Sequence, residues 1–207
     1  MSDFRALGAI LLAAGFSRRM GGGNKLLRPL GGRPLIAHAL ERLDGLGLGQ
    51  LIVVVGDSAD AIAPLLPASA TLVRNGRAAE GMGRSLAAAA AALDPSLRGV
   101  FIALADMPFI EAGDFGKLAG ALAAGGDGAI CIPMHDGRRG HPVLFGRAHF
   151  PALAALSGDA GARALIAASD KVHEIAGCSD GVLIDADDPA AFAAAERHLE
   201  SRQRQLK

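Results

Sequence analysis

The sequence predicts a three-layer α/β fold on a mixed, mainly parallel sheet, with all 207 residues in one domain. Three observations carry that expectation. Short apolar runs alternate with alanine-rich amphipathic stretches along the whole chain, the pattern of strands and crossover helices. Hydrophobic residues make up 51% of the composition, enough for a sizeable core at this length. The most unusual loops, rich in glycine, arginine or aspartate, come after the ends of apolar runs, where open α/β sheets bind their ligands.

In chain order, the apolar run Ala6–Ala13 reads as a first buried strand and ends at a loop of four glycines, two arginines and a lysine. A helix follows over Pro34–Leu43, with Pro34 in the first turn, where a missing N–H costs nothing. Leu51–Val55 is the next strand, then a helix over Ala59–Leu66 and a strand over Thr71–Arg74. The alanine run within Arg84–Leu93 makes that segment helical rather than disordered. Val100–Leu104 is a strand and Asp114–Ala123 a helix. Two strands, Ala129–Ile132 and Pro142–Phe145, precede a helix over Ala160–Ala168. Strands over Val172–Ile175 and Val182–Ile184 then lead to a helix over Pro189–Ser201 that Pro189 opens. Residues Arg202 to Lys207 read as a frayed tail. There is no internal repeat.

Charge excludes some functions. Lys plus Arg and Asp plus Glu each total 21, so the chain lacks the basic field that holds nucleic acid or an anionic membrane non-specifically. Any affinity for phosphate must be local. Cys131 and Cys178 lack zinc or redox spacing and read as reduced thiols of a cytoplasmic protein. The stretch Ala6–Phe16 has the apolarity of a signal-peptide core, but it continues into α/β patterning without a composition break. No apolar run reaches bilayer-spanning length, so a soluble protein is expected.

The loop after the first strand invites an anion. Gly15, Gly21, Gly22 and Gly23 let backbone N–H groups come close to one, while Arg19 and Lys25 bring fixed charge. Its spacing fits neither the dinucleotide G-x-G-x-x-G nor a P-loop. "ALADMPFI" ends another strand with Asp106, a carboxylate suited either to Mg²⁺ or to capping a turn before Pro108. "VLIDADDPAAF" adds Asp185, Asp187 and Asp188, of which Asp188 reads as the N-cap of the last helix.

The segment "LAAGFSRRMGGGNKLLRPLGGRPLI" resembles the signature of the MobA-like nucleotidyltransferases. "EGMGRSL", "ADMPFI", "RGHPVLF", "GDAGARALI" and "IDADDP" occur in that family's order and extend the likeness over nearly the whole chain. "RGHPVLF" and "GDAGAR" point to its molybdenum cofactor cytidylyltransferase branch. The resemblance implies a Rossmann-like, GT-A-like nucleotidyltransferase domain. It also implies a reaction: the terminal phosphate of the cofactor's pterin attacks the α-phosphorus of CTP and releases pyrophosphate.

By motif position, Arg19 and Lys25 would clamp the triphosphate, and Asp106 and Asp187 would hold Mg²⁺ with Asp185 close by. Leu12, Ala13, Ala14 and Gly15 would line the nucleotide, and Asn75, Gly81, Gly83 and Ser85 would touch base or sugar near a helix start. Arg139, His141, Asp159 and Arg163 would face the acceptor. Structural readings stand beside these, with His141 as a hydrogen-bonded loop residue and Asp159 as a helix cap. The other histidines, His38, His135, His149, His173 and His198, read as surface or packing residues. Ala105 replaces a glycine common before Asp-Met-Pro, and the loop from Met20 to Lys25 is one residue longer than the common form. Alternatives are a guanylyltransferase on the same cofactor, transfer to another phosphorylated acceptor, or a nucleotide-binding accessory protein without turnover. Ala14, where guanylyl enzymes usually carry glycine, favours cytidine. A handover to a molybdoenzyme or its chaperone is implied by the resemblance as well.

Overall fold

The computed structural model describes residues 4–14, 24–76, 81–158 and 161–205. Its centre is a mixed sheet. Strands β1 (Leu7–Ala13), β4 (Gln50–Val55), β5 (Ala70–Arg74) and β6 (Gly99–Leu104) pair in parallel, with β1 between β4 and β6. Beyond β6 the sheet turns antiparallel through β9 (Val143–Gly146) and β7 (Ile130–His135), and β10 (Val172–Ile175) closes it parallel to β7. β2 (Pro29–Leu30) and β3 (Arg33–Pro34) form a separate two-stranded ribbon, and β8 (Arg138–Arg139) pairs with the end of β7.

Both faces of the sheet are covered, so β1, β4 and β6 are apolar at successive positions rather than at alternate ones. On one face Leu11, Val53, Val55 and Phe101 pack with α1 (Leu35–Asp44), α4 (Ala112–Gly125) and α7 (Pro189–Gln205). On the other, Ile10, Ile52, Val54 and Ile102 meet α3 (Met82–Ala90) and α5 (Phe150–Ala154). Two cores separated by one sheet make the three layers expected. A short α2 (Ala59–Ile62) follows β4, and α6 (Arg163–Ala168) follows α5.

Several expectations are corrected. Val182–Ile184 is not a strand, because Asp180–Leu183 winds as a 3₁₀ turn whose Val182 carbonyl accepts the N–H of His141 at 2.9 Å. The helix expected over Ala59–Leu66 stops at Ile62 and continues as a 3₁₀ turn over Ala63–Leu65, where Pro64 lacks the N–H an α-helix would use. Pro34 stands outside its helix, paired with Pro29 in the ribbon. The third helix starts at Met82 because Gly81, at φ 111°, turns the chain immediately before it. The helix expected from Ala160 begins at Arg163, with Asp159 and Ala160 outside the described residues. α4 starts at Ala112, and Asp114 sits at its third position in a capping box with Glu111. Arg202 and Arg204 continue α7, with Arg202 ion-paired to Glu111.

Asp188 caps α7 as expected, accepting the N–H of Ala191 at 2.8 Å. Both cysteines are buried free thiols, and burial raises the Cys131 pKa to about 11. Among the described residues no helix is long and apolar enough to cross a membrane.

Candidate functional site

The parallel strands β1, β4 and β6 end side by side, with Ala13 opposite Val55 and Leu12 opposite Leu104. The segments leaving these strand ends therefore gather at one edge of the sheet. Asp106 comes two residues after β6, and Asn75 directly after β5. Lys25 opens a 3₁₀ turn, Lys25–Leu27, that Asn24 caps by accepting the N–H of Leu26 at 3.0 Å. That cap fixes where the lysine starts.

The Lys25 ammonium bridges two carboxylates distant in sequence. Its Nζ donates to Asp106 Oδ2 at 2.6 Å and to Asp187 Oδ1 at 2.7 Å. Lys25 is only 8% exposed, against 19% for Asp106 and 44% for Asp187. Burial opposes the lysine's charge, but the two carboxylates outweigh it and raise its pKa from 10.5. A backbone contact aligns the two acidic loops, because the N–H of Ala186 donates to the Asp106 carbonyl at 3.0 Å. Asp185 lies close enough to feel both carboxylates. Partial burial first, then the charges of Asp106 and Asp187, raise its pKa above 3.8.

Two carboxylate oxygens meeting one ammonium are oxygen donors that already face a cation, a donor set suited to Mg²⁺. Among the described residues no group of three or more His, Cys, Asp or Glu side chains forms a metal cage, so Asp106, Asp185 and Asp187 do not converge as one. A pair of protein carboxylates with phosphate and water completing the shell is the usual Mg²⁺ arrangement.

The expected nucleotide residues fall into three groups. Gly15 and Arg19 lie outside the described residues. Leu12, Ala13 and Ala14 stand at the end of β1, where the Leu12 carbonyl accepts the N–H of Ala105, next to Asp106, at 3.2 Å. Asn75 and Ser85 are buried and joined, the Asn75 amide donating to Ser85 Oγ at 2.9 Å, which ties the end of β5 to α3. Gly81 is the N-cap of α3. Gly83 has a packing reason as well: a Cβ there would stand 2.7 Å from the Gly158 carbonyl oxygen and 2.9 Å from that of Ser157.

Near the residues expected to face an acceptor, β7 and β8 form a hairpin whose two turn residues, Asp136 and Gly137, both have positive φ. Asp-Gly suits a two-residue turn with positive φ at both positions, and here it brings Arg139, Gly140 and His141 back toward β6. Arg139 donates to Glu174 at 2.7 Å. His141 is half-buried, and its Nδ1 is shielded with no hydrogen-bond partner among the described residues. Burial, followed by smaller opposing effects from the Ile102 backbone and Asp106, leaves its pKa below 6.5. Arg163 opens α6, and Asp159 lies outside the described residues. His141 and Arg163 border one cavity of about 500 Å³ between the sheet and α6, together with Leu12, Met82, Leu104 and Ile166. Sequence reasoning found the charged rim of this cavity but not its apolar walls.

The fold agrees with the comparison to known families. The MobA-like NTP transferase domain model matches residues 9–173. The chain belongs to that family. A relative in Paenarthrobacter nicotinovorans, named nicotine blue oxidoreductase, is 32% identical over 187 residues, covering 86% of this chain and 90% of its own length. The bifunctional protein GlmU of Agrobacterium fabrum is 34% identical over 142 residues, and the match takes in 67% of this chain but 30% of GlmU. Among solved structures, the homolog of Mycobacterium tuberculosis Rv0371c from Mycobacterium sp. strain JC1 superposes with TM-score 0.78 at 28% identity, covering 93% of this chain and 98% of that one. A MobA-like nucleotidyltransferase is thus the family-level identity of the protein.

Proposed function

We propose that this MobA-like chain works as one domain of 207 residues that transfers CMP from CTP to the terminal phosphate of the molybdenum cofactor, with Mg²⁺ as its metal, in the cytoplasm. The observation that carries the reading is Lys25, held at 2.6 and 2.7 Å by Asp106 and Asp187 at the nucleotide edge of the sheet. Bringing one phosphate up to another is opposed by charge, so catalysis consists mainly of positioning and neutralisation. In the balanced step, an acceptor phosphate oxygen bonds to the α-phosphorus. The bond from that phosphorus to the bridging oxygen breaks, and its electron pair leaves with pyrophosphate.

In this reading Arg19 and Lys25 neutralise the triphosphate, and Asp106 and Asp187 hold the metal, with Asp185 next to them. Mg²⁺, when bound, offsets charge on the transferring phosphate. Leu12, Ala13, Ala14 and Gly15 line the nucleotide, and Asn75, Gly81, Gly83 and Ser85 shape the base and sugar end. Arg139, His141, Asp159 and Arg163 receive the acceptor. Ala14 supports CTP over GTP, since a Cβ there holds the loop backbone further from the base than glycine would. The product would pass to a molybdoenzyme or its chaperone.

The test incubates the protein with molybdenum cofactor, Mg²⁺ and each of the four nucleoside triphosphates. Pyrophosphate release is followed, and the dinucleotide is identified by mass. A cytidine dinucleotide supports the proposal, whereas a guanine dinucleotide moves it to guanylyl transfer. Absence of pyrophosphate with every nucleotide leaves only a binding protein. The relative that covers most of the chain is named an oxidoreductase. Pyrophosphate separates that activity from this one, because a redox reaction frees none.

A further inference from the structure

The acceptor side has a feature that its charged residues do not explain. The cavity of about 500 Å³ is walled on the sheet side by Ile102, Ile132, Val143 and Phe145, and on the helix side by Ile166. Its volume falls within the usual range for a small-molecule site. The exposed large hydrophobic residue among those described, Met82, stands at its edge with 52% of its surface free. A thioether there can adapt to a flat guest.

Two polar groups in this cavity remain unused. Among the described residues, His141 presents a shielded Nδ1 without a hydrogen-bond partner and Arg163 makes no ion pair. The imidazole is held neutral by burial, so Nδ1 can donate or accept according to the group that meets it. Position connects the cavity to the chemistry. Leu12 and Leu104 belong both to its lining and to the strand ends beside Asp106, on the opposite side of β1 from the Asn75–Ser85 pair.

We propose that this cavity selects the class of acceptor: a phosphate ester of a flat, largely apolar ring system, seated between the sheet and α6. Its polar edge meets His141 Nδ1, and its phosphate lies toward Arg163 and Asp106. Met82 and Ile166 are then specificity-determining residues. The inference rests on the acceptor reading above but not on the acceptor being the molybdenum cofactor. A sugar or polyol phosphate of the same size would bury hydroxyls against leucine, isoleucine and valine, with His141 left to satisfy them once Arg163 meets the phosphate and Arg139 pairs with Glu174. Each unpaired hydroxyl weakens binding by about tenfold.

The chain has no Trp and no Tyr, so an aromatic ligand can be followed by its own fluorescence against a dark protein. Equilibrium binding of 1-naphthyl phosphate is measured by fluorescence, and that of glucose 1-phosphate by calorimetry. Both are repeated with Mg·CTP present. The expectation is at least about tenfold tighter binding of the naphthyl ester, unaffected by Mg·CTP. Ile166→Phe, which narrows the cavity and leaves the protein without Trp or Tyr, should cancel that preference. Met82→Ala, at an exposed position that cannot unfold the core, should reduce it several-fold. Equal or tighter binding of glucose 1-phosphate, or a preference untouched by both variants, overturns the assignment. Displacement of the naphthyl ester by CTP overturns it too, since the cavity would then belong to the base. None of these outcomes bears on pyrophosphate release, so the nucleotidyl-transfer reading stands or falls separately.

Discussion

Lys25→Met puts the centre of the site to its most direct test. The variant keeps the length of the aliphatic stem and removes the ammonium that joins Asp106 and Asp187. With 8% of the lysine exposed but 19% and 44% of its partners, the cluster lies between two regimes. Removing one partner from a fully buried pair costs about 3–5 kcal/mol, whereas an exposed pair contributes about 0–1 kcal/mol. About 2 kcal/mol of folding stability should therefore be lost. The same geometry makes a stronger statement about metal. Nζ holds both oxygens at 2.6 and 2.7 Å, while Mg²⁺ needs its oxygens at about 2.1 Å. One pair of oxygens cannot satisfy both cations at once.

In the protein without nucleotide, lysine and metal should thus compete. Removing an occupant that contributes about 2 kcal/mol should tighten metal affinity about thirtyfold. Mn²⁺ serves as the probe, and free Mn²⁺ is titrated by electron paramagnetic resonance against wild type, Lys25→Met and Asp106→Asn. Tighter binding by Lys25→Met, together with loss of binding by Asp106→Asn, is expected. Turnover moves the other way, falling about a hundredfold or more in Lys25→Met as a cation aimed at the transferring phosphate is lost. If Lys25→Met bound Mn²⁺ no more tightly than wild type, the two cations would not share a position and the reasoning would fail.

Other predictions concern the frame around this centre. Asp187→Asn should reduce turnover far more than Asp185→Asn, and the reverse order in a pyrophosphate assay would exchange their roles. Gly140→Ala would drive a Cβ into the Val182 carbonyl, so it should lower stability by about 1–3 kcal/mol in urea unfolding; an unchanged midpoint would refute that packing. Burial keeps the His141 pKa below 6.5, so the unfolded chain takes up that proton first as pH falls. Stability should be full above pH 6.5 and decline below it, and a His141→Gln variant that kept the same decline would assign it to other groups. The Cys131 thiol, pushed up to about 11 by burial, should resist iodoacetamide in the native protein and react only after unfolding, as read by mass.

The sequence made the centre of the sheet legible, and its periphery less so. β1, β4 and β6 are unbroken apolar runs ending at glycine or aspartate, which only a strand covered on both faces requires. The run Val182–Ile184 has the same composition but another use. Gly181 lies directly under the Phe109 carbonyl, and the Val182 carbonyl accepts from His141, so the run plugs the sheet's edge instead of pairing with it. Composition cannot separate burial by pairing from burial by plugging. The hairpin through Asp136 and Gly137 was not among the elements expected from the sequence, and it is what carries Arg139 and His141 to the cavity. The cavity itself is formed by residues from seven elements, among them Leu12, Met82, Ile132 and Ile166, that share no spacing in the chain.

The late acidic cluster marks where residue types stop being informative. Asp185 and Asp187 are two positions apart, so in an extended stretch both side chains leave the same side and neither can be ranked from sequence. A backbone contact ranks them. Ala186, fully buried, donates its N–H to the Asp106 carbonyl and fixes the segment against the loop after β6. With that alignment the Lys25 ammonium reaches Asp187 at 2.7 Å across 162 residues of sequence. At Asp185, partial burial and the negative charges of Asp106 and Asp187 outweigh the lowering effect of Lys25 and raise the pKa. Two aspartates of the same type thus differ in one contact, since the Lys25 ammonium donates to Asp187, while Asp185 lies beside the two carboxylates that Lys25 joins.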